Sequence, residues 1–190
     1  MKRYVLIAGV NGAGKTTLYQ TKGSWSDIPR VNIDEIVRET GSWKNKDDVF
    51  EAGKKAVALI REYFTREESF HQETTLCGKG IMKNIAYAKE HGYRVELFFV
   101  GLDSATTAKQ RVAQRVRDGG HGIPDEDIER RYEEGLRNLI NVIPACDRVE
   151  VFDNTFGFRK LACFGDGICI NLEEYIPVWF ERIRDKIDEQ

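Results

Sequence analysis

A glycine-rich segment with the spacing G-x-x-x-x-G-K-T, residues 9–16, directly follows the apolar run Tyr4-Val5-Leu6-Ile7-Ala8. Glycine lets consecutive backbone N–H groups turn toward an anion, and the N-terminus of a following helix adds its positive dipole end. In such a phosphate-binding loop (P-loop) Lys15 reaches the β- and γ-phosphates, and the Thr16 hydroxyl holds Mg²⁺. The segment therefore predicts a nucleoside triphosphate site. Its predicted nucleotide-binding residues are Gly9, Asn11, Gly12, Ala13, Gly14, Lys15, Thr16 and Thr17, with Thr16 as the metal ligand.

The composition is that of an ordinary globular protein, with 190 residues, 41% hydrophobic and 32% charged. This length favours a single domain over residues 1–190. A net charge of −2 gives no general attraction to nucleic acid or to anionic membranes. No apolar stretch has the length of a membrane helix, and no secretory signal is expected because the N-terminus leads straight into the P-loop. Four cysteines without a C-x-x-C pair favour a reducing, cytoplasmic location.

Strand-like and helix-like segments alternate along the chain, which predicts an α/β fold. We expect a three-layer, P-loop kinase-like fold with a mostly parallel sheet and helices on both faces. Val95–Leu102 is the clearest buried strand, and 30–34 and 69–74 are weaker candidates. Near the C-terminus, residues 159–164 and 168–170 flank the turn Gly165-Asp166-Gly167, which predicts a β-hairpin followed by a last helix.

A P-loop identifies a nucleotide site without identifying the reaction, and one further motif resembles that of a GTPase. Asn45-Lys46-Asp47-Asp48 matches the N-K-x-D pattern for guanine, but no strand-like segment precedes it and it lies too early in the chain. No D-x-x-G sequence occurs in the chain, so the usual γ-phosphate switch is missing. We therefore interpret the segment as the N-terminal cap of a helix.

A small-molecule kinase needs a base for the acceptor hydroxyl, and Asp34 is the candidate. It ends the predicted second strand at the carboxyl edge of the sheet, where the P-loop also lies and where open α/β sheets bind ligands. The alternative is that Asp34 only caps the following helix. Glu73 and Thr75 leave the predicted third strand at the same edge and are candidate substrate contacts, the alternative being a solvated strand end.

A helical lid is predicted over about residues 104–142, with the glycine-rich loop Gly119–Pro124 in its middle. Arg111 and Arg115 are four residues apart and share one helix face. Arginine over a transferring phosphoryl group is worth about 10³–10⁵ in rate. We expect one or two of the lid arginines to act in this way, the others being solvated. The five candidates are Arg111, Arg115, Arg117, Arg130 and Arg131. We expect His121 to contact the substrate or shape the lid.

Five segments, taken together, resemble the zeta-toxin-type kinases, in particular the short chromosomal zeta-like proteins. The resemblance runs in order over about residues 4–155. The E-T-T sequence at 73–75 and the G-G-H-x-I-P sequence at 119–124 are much more specific than the P-loop. The segments are the P-loop, Asn32-Ile33-Asp34, 70–76, 115–124 and Asp153-Asn154-Thr155.

This resemblance implies ATP- and Mg²⁺-dependent phosphorylation of the sugar hydroxyl of UDP-N-acetylglucosamine, and a possible antitoxin as protein partner. It implies that Asp34 is the base, Lys15 the phosphate clamp, and Glu73 with Thr75 the substrate contacts. Arg115 and Arg111 would stabilise the transferring phosphate, and Asn154 would lie beside the base of the nucleotide. The better-known toxins carry a second lid arginine roughly where this chain has Gly120-His121-Gly122.

Two other functions are compatible with the sequence. A polynucleotide or RNA kinase would use the clustered arginines as a short basic track, although the balanced overall charge disfavours nucleic acid. A nucleotide-dependent binding protein, one half of a toxin–antitoxin pair, would hold ATP without consuming it.

Overall fold

The computed structural model describes residues 1–22, 25 and 27–188. A 3₁₀ turn, Ile143–Ala145, links the sixth helix to the fifth strand. The elements in chain order are β1 (Arg3–Ala8), α1 (Lys15–Lys22), β2 (Arg30–Val31), α2 (Ile33–Thr40), α3 (Lys46–Thr65), β3 (Phe70–Thr74), α4 (Gly80–Glu90), β4 (Arg94–Gly101), α5 (Ala105–Arg117), α6 (Asp125–Val142), β5 (Arg148–Asp153), β6 (Arg159–Gly165), β7 (Ile168–Leu172) and α7 (Val178–Asp188).

One seven-stranded sheet has the order β2-β3-β1-β4-β5-β6-β7. The first five strands in this order run parallel, and β6 and β7 are antiparallel. Strand β1 lies between β3 and β4 and is almost wholly buried, which explains its uninterrupted apolar sequence. The predicted α/β fold with a mostly parallel sheet and a C-terminal hairpin is confirmed. No helix in the described part of the chain is both long and apolar enough to cross a bilayer.

Helices cover both faces of the sheet because alternate residues of β1 enter different cores. Tyr4 and Leu6 pack in a core with residues of α2, α3, α4 and α7. Val5 and Ile7 pack in a second core with residues of α1 and α5. Helix α6 contributes to both cores, and its Tyr132 hydroxyl donates to the carbonyl of Leu102 just beyond β4 (3.0 Å). It therefore crosses the carboxyl edge of the sheet, where it covers the P-loop.

The boundary between β2 and α2 differs from the sequence prediction. The predicted strand 30–34 is only Arg30–Val31, and Asp34 lies in the first turn of α2. The Asn32 side-chain oxygen accepts a hydrogen bond from the Asp34 N–H (2.8 Å) and so starts the helix two residues earlier than expected. Asn32, not Asp34, is therefore the cap. Asn45 caps α3 in the same way, as predicted for the segment that resembles a guanine motif.

The hairpin between β6 and β7 turns through Asp166 and Gly167, whose φ angles are 49° and 80°. Two successive positive φ angles define the tight turn that matches the twist of a hairpin, and Asp-Gly is a favoured pair for it. The local sequence therefore determines this element, as predicted.

His71 of β3 is fully buried, and neither of its ring nitrogens has a hydrogen-bond partner among the described residues. Burial, helped by the charge of Arg30, lowers the pKa of His71 to about 4. The native protein therefore holds this imidazole neutral, while the unfolded chain protonates it near its ordinary pKa of 6.5.

We predict that His71 makes the protein less stable in acid. Its contribution is fully present above pH 6.5 and is lost as the pH falls toward 4, because the unfolded state then binds the extra proton. The two pKa values correspond to a loss of at most about 3 kcal/mol. Urea unfolding of His71→Phe between pH 7.5 and 4.5 should show a shallower loss of stability than wild type. His91→Phe, at an exposed position, is the control and should follow wild type; parallel curves for His71→Phe would contradict the prediction.

Candidate functional site

The P-loop connects β1 to α1 with a backbone that requires glycine at several positions. Gly9, Gly12 and Gly14 have φ angles of 143°, 82° and 99°. A Cβ atom on Gly9 would lie 2.3 Å from the Val100 carbonyl oxygen, and one on Gly14 would lie 2.5 Å from Asn154 Nδ2. The loop is therefore held by both conformation and close packing, as the sequence predicted.

Lys15 lies at the start of α1 with its side chain buried. Its Nζ atom donates to the Val10 carbonyl oxygen (3.2 Å) and lies 4.0 Å from Glu73 Oε1. Burial lowers the pKa of Lys15, and the carboxylates of Glu73 and Asp34 oppose this effect. An ammonium group has three donors, so the remaining ones are available to an anion in the loop.

Glu73, at the end of β3, is oriented by contacts on both carboxylate oxygens. Oε1 lies 3.5 Å from the Thr16 hydroxyl. Oε2 accepts hydrogen bonds from Arg30 Nη2 (2.5 Å) and Asn32 Nδ2 (2.8 Å). The Arg30 guanidinium also pairs with Glu35 and lies 4.3 Å from the centre of the Tyr19 ring. The carboxylate therefore belongs to the wall of the P-loop.

Asp34 faces the same site from the first turn of α2. Its Oδ2 atom lies 3.4 Å from His121 Nε2. Burial raises the pKa of Asp34. The hydrogen bond and the charge of His121 act in the opposite direction, and Lys15 and Arg115 add to them, so the net pKa is lowered. Asp34 is thus an ionised carboxylate near the P-loop lysine at neutral pH.

His121 fixes the glycine-rich loop above Asp34. Its ring stacks on Trp43, with centroids 3.8 Å apart and planes at 7°. Arg115 Nε donates to the His121 carbonyl oxygen, and Arg115 Nη2 lies 3.1 Å from His121 Nε2. One ring nitrogen cannot donate to Asp34 and accept from Arg115 at the same time. Whether Nε2 carries a hydrogen atom therefore decides which of the two it bonds.

The predicted lid arginines have different surroundings. Arg115 is close enough to Lys15 to lower its pKa, and so is Arg131, whose Nη1 donates to Asn11 Oδ1 in the P-loop (3.0 Å). Arg111 Nη2 instead donates to the carbonyl oxygens of Asn154 (2.6 Å) and Thr155 (2.9 Å). The remaining two contact neighbours on their own helices: Arg117 bonds Gln114, and Arg130 pairs with Asp127 and Glu134.

Asn154 bridges the β5 end of the sheet to the P-loop. Its Nδ2 atom donates to the Ala13 carbonyl oxygen (2.8 Å), and its backbone N–H donates to the Gly101 carbonyl oxygen (3.0 Å). Phe158 lies on the same side, 3.1 Å from a Cβ atom built on Gly14. The side chain of Phe156 is fully exposed.

Thr75 stands just beyond β3 in a strained segment. The next residue, Leu76, is buried yet has a φ of 62°, a left-handed conformation that is costly for a branched side chain. Its N–H donates to Thr74 Oγ1 (3.0 Å), and its carbonyl accepts from Asn138 of α6 (2.7 Å). Such strain persists where surrounding contacts enforce it, often at functional sites. Here it sets the direction in which the chain leaves Glu73 and Thr75.

The structure brings together the P-loop, Asp34, Glu73, Arg115 and His121, all of them predicted from the sequence. Four further residues of the site were missed or ranked too low: Arg30, Asn32, Trp43 and Arg131. Among the five lid arginines, Arg131 ranked below Arg111 and Arg115, and its contact with Asn11 spans 120 residues of sequence. Trp43 had no signal beyond being an aromatic residue in a connecting segment.

We predict that Gly14→Ala weakens binding of ATP, the nucleotide that the P-loop predicts, by about 10- to 100-fold, because strain at such a position costs about 1–3 kcal/mol. The added methyl group would also displace Asn154. Calorimetric titration with ATP measures the effect. Gly53→Ala is the control, because Gly53 lies in α3 with no atom near the new methyl group. Equal affinities of the two variants would contradict the prediction.

We predict that His121→Ala raises the pKa of Asp34. The substitution removes the hydrogen bond and charge that lower this pKa, while burial continues to raise it. Carboxyl ¹³C resonances followed by NMR through an acid titration report the change. His91→Ala, at a distant exposed histidine, should leave the Asp34 titration unchanged. A curve for His121→Ala that overlays that of wild type would contradict the prediction.

No protein-family model matches the chain. Over 128 residues it is 29% identical to an uncharacterised protein of Haemophilus influenzae. The matched region covers 67% of this chain and 91% of that protein.

Several solved structures share the fold. The AvrRxo1-ORF1:-ORF2 complex with ATP matches with a TM-score of 0.68 and 16% identity, covering 98% of this chain and 63% of that one. A structure of the PezAT chromosomal toxin–antitoxin system of Streptococcus pneumoniae matches with a TM-score of 0.62 and 16% identity, covering 100% and 87%. A Chloroflexus aurantiacus protein described as a kinase matches with a TM-score of 0.58 and 15% identity, covering 82% and 89%. This chain spans less than two thirds of the AvrRxo1 chain. The predicted resemblance is confirmed: the chain has the fold of zeta-toxin-like P-loop kinases.

Proposed function

We propose that this chain is an ATP-dependent kinase of the zeta-toxin type that phosphorylates a sugar hydroxyl, that of UDP-N-acetylglucosamine. The observation that carries the proposal is that Asp34 and Lys15 line one site. The Asn32 side chain joins the Asp34 N–H to Glu73, and Glu73 Oε1 lies 4.0 Å from Lys15 Nζ. The charges of Asp34 and Lys15 each shift the pKa of the other, so a carboxylate and a phosphate-binding lysine share one site. A kinase needs this pairing, because the acceptor hydroxyl must lie between a base and the γ-phosphate.

Asp34 is the proposed base. The acceptor oxygen forms a bond to the γ-phosphorus, the bond from that phosphorus to the β–γ bridging oxygen breaks, and ADP leaves. The hydroxyl proton passes to the Asp34 carboxylate. Its lowered pKa keeps Asp34 ionised at neutral pH but makes it a weak base. A weak base suffices because phosphoryl transfer passes through a loose transition state, in which positioning matters more than deprotonation.

Cations on three elements would surround the transferring group. Lys15 belongs to the P-loop, Arg115 to α5 and Arg131 to α6, and both arginines are close enough to lower the Lys15 pKa. Charge develops on the phosphoryl oxygens during transfer, and fixed cations stabilise it. Arg115 and Arg131 are therefore the proposed phosphate-stabilising arginines, while Arg111, bound to carbonyls beside Asn154, is assigned to the nucleotide-base side.

The base of ATP is proposed to lie beside Asn154. The exposed ring of Phe156 and the ring of Phe158 beside Gly14 offer aromatic faces there. Such faces stack on nucleobases.

The residues present fit a magnesium ion that accompanies the nucleotide. The Thr16 hydroxyl and the Glu73 carboxylate are oxygen ligands, which Mg²⁺ prefers, and they lie 3.5 Å apart. Within the described ranges no group of three or more His, Cys, Asp or Glu side chains forms a complete metal site. Thr16 would therefore hold the ion together with phosphate oxygens, with Glu73 beside it. When bound, Mg²⁺ would neutralise charge on the β- and γ-phosphates.

A regulatory protein partner and a cytoplasmic location belong to the same proposal. The AvrRxo1-ORF1:-ORF2 complex and the PezAT system, both matched above, contain partner proteins. An antitoxin would hold such a kinase inactive. All four cysteines are free, which suits a reducing compartment.

We predict that Asp34→Asn lowers phosphate transfer to UDP-N-acetylglucosamine by at least about 10²-fold, because the base is lost. ATP affinity should remain within a few-fold of wild type. Mass spectrometry of the product, a gain of one phosphate, measures transfer, and calorimetry measures ATP binding. Asp47→Asn is the matched control, since Asp47 occupies the same position after the Asn45 cap of α3.

Near-normal transfer by Asp34→Asn would rule out the assignment of the base. Wild-type protein that phosphorylates an oligonucleotide and not the sugar nucleotide would favour a polynucleotide kinase. ATP binding without any product from a panel of sugars, nucleotides and a bacterial extract would favour a binding protein.

A further inference from the structure

Asn32 makes two hydrogen bonds with its side-chain amide, one to each carboxylate-bearing segment of the site. Its Oδ1 accepts from the Asp34 backbone N–H (2.8 Å), and its Nδ2 donates to Glu73 Oε2 (2.8 Å). The side chain is buried. A single amide therefore links the start of α2, which carries Asp34, to the end of β3, which carries Glu73.

The backbone provides little other connection at this point. Strand β2 has only two residues, and its register pairs Arg30 with His71 and Val31 with Gln72. Continuing that register sets Asn32 opposite Glu73, where the strand has already ended and α2 begins. The side chain of Asn32 thus replaces the backbone pairing that would otherwise continue along β3.

Only an amide of this length supplies both contacts. Helix capping needs an acceptor, which Asn, Asp and Ser all provide with similar strength. The contact with Glu73 needs a hydrogen-bond donor. Asp has no donor, and the Ser side chain is too short to place its hydroxyl where the Asn32 amide nitrogen lies. An Asp at this position would also face the Glu73 carboxylate with a like charge.

We propose that Asn32 is a positioning residue that holds Asp34 in register with Glu73 and the P-loop. Its importance for catalysis rests on the proposed kinase function; its effect on the geometry does not. Without the amide donor, Glu73 keeps Arg30 on Oε2, and Arg30 still pairs with Glu35 of α2, but the direct bond from Glu73 to the cap of α2 is lost. The first turn of α2, and Asp34 with it, would then be held less firmly relative to the P-loop lysine. Misplacement of a reacting group by about 1 Å costs on the order of 10²-fold in rate.

The test compares three substitutions of Asn32 with one at Asn45, which caps α3 at an exposed site through the same kind of bond (3.0 Å). Asn32→Asp and Asn32→Ser both keep a capping oxygen and lose the donor to Glu73. Asn32→Asp also adds a negative charge, whereas Asn32→Ser does not. Asn32→Ala loses both contacts. Asn45→Ala loses a cap and a bond to Asp48 in the same helix, with no contact to the candidate site. Thermal unfolding, kcat, the KM for ATP and the NMR titration of the Asp34 carboxyl are measured for each protein.

We expect kcat to fall about 10- to 100-fold in Asn32→Asp and Asn32→Ser, with the KM for ATP changing much less. Asn32→Ser should unfold near the wild-type temperature, and Asn32→Asp below it, because its added charge faces Glu73. Asn45→Ala should unfold at a lower temperature, since a lost cap costs about 1 kcal/mol, and keep kcat within twofold of wild type. A kcat within twofold of wild type in both cap-retaining Asn32 variants would overturn the proposal.

The Asp34 titration separates this proposal from the proposed function. If Asn32 positions Asp34 near His121 and Lys15, then Asn32→Ala raises the Asp34 pKa, and Asn45→Ala does not. This result is expected even if wild-type protein phosphorylates none of the acceptors, in which case only the kinase assignment fails. An unchanged Asp34 titration in Asn32→Ala would overturn the positioning role regardless of activity.

Discussion

The carboxylate of Glu73 holds the candidate site together because its two oxygens bond in opposite directions. Oε2 is bound by Arg30 and Asn32, which belong to the edge of the sheet and the start of α2. Oε1 is left to face the Thr16 hydroxyl and, at 4.0 Å, the Lys15 ammonium group. The buried lysine needs a nearby negative charge, since burial alone disfavours its protonated form. The position of Asp34 depends on the same carboxylate through Asn32.

The lid is built on a helix that belongs to both cores. Helix α6 packs against opposite faces of the sheet near its two ends, so it must cross the carboxyl edge where the strands end. Its path brings Arg131 to the P-loop and Asn138 to the strained Leu76. The glycine-rich loop before α6 is held by the stack of His121 on Trp43. Packing of apolar residues thus determines where the charged residues of the site meet.

Features that depend only on residues close in sequence were predicted well. The glycines of the P-loop, the Asn45 cap and the Asp-Gly turn of the hairpin each follow from local backbone preferences. The start of α2 is the exception: residues 30–34 have the composition of a strand, but the Asn32 side chain bonds its own backbone two residues on and starts a helix. Apolar composition cannot distinguish these outcomes, because a side-chain cap competes with strand pairing at every such asparagine. Arg111 and Arg115 share a predicted helix face and Arg131 does not, yet spacing does not show their different contacts: Arg115 bonds His121 six residues on, while Arg111 and Arg131 bond partners far along the chain.

The sequence by itself determined the phosphate-binding loop, the alternation of strands and helices, and the residue types available at the carboxyl edge of the sheet. These depend on short-range sterics and on hydrophobic periodicity, which a single chain displays directly. Only the tertiary structure decided that Asp34 faces the site from a helix, that Glu73 is shared between Asn32 and the P-loop, and that the Arg131 guanidinium bonds Asn11 of that loop. The Asn32–Glu73 and Arg131–Asn11 bonds join residues that lie 41 and 120 positions apart. They follow from how the cores pack around the sheet, which no local pattern encodes.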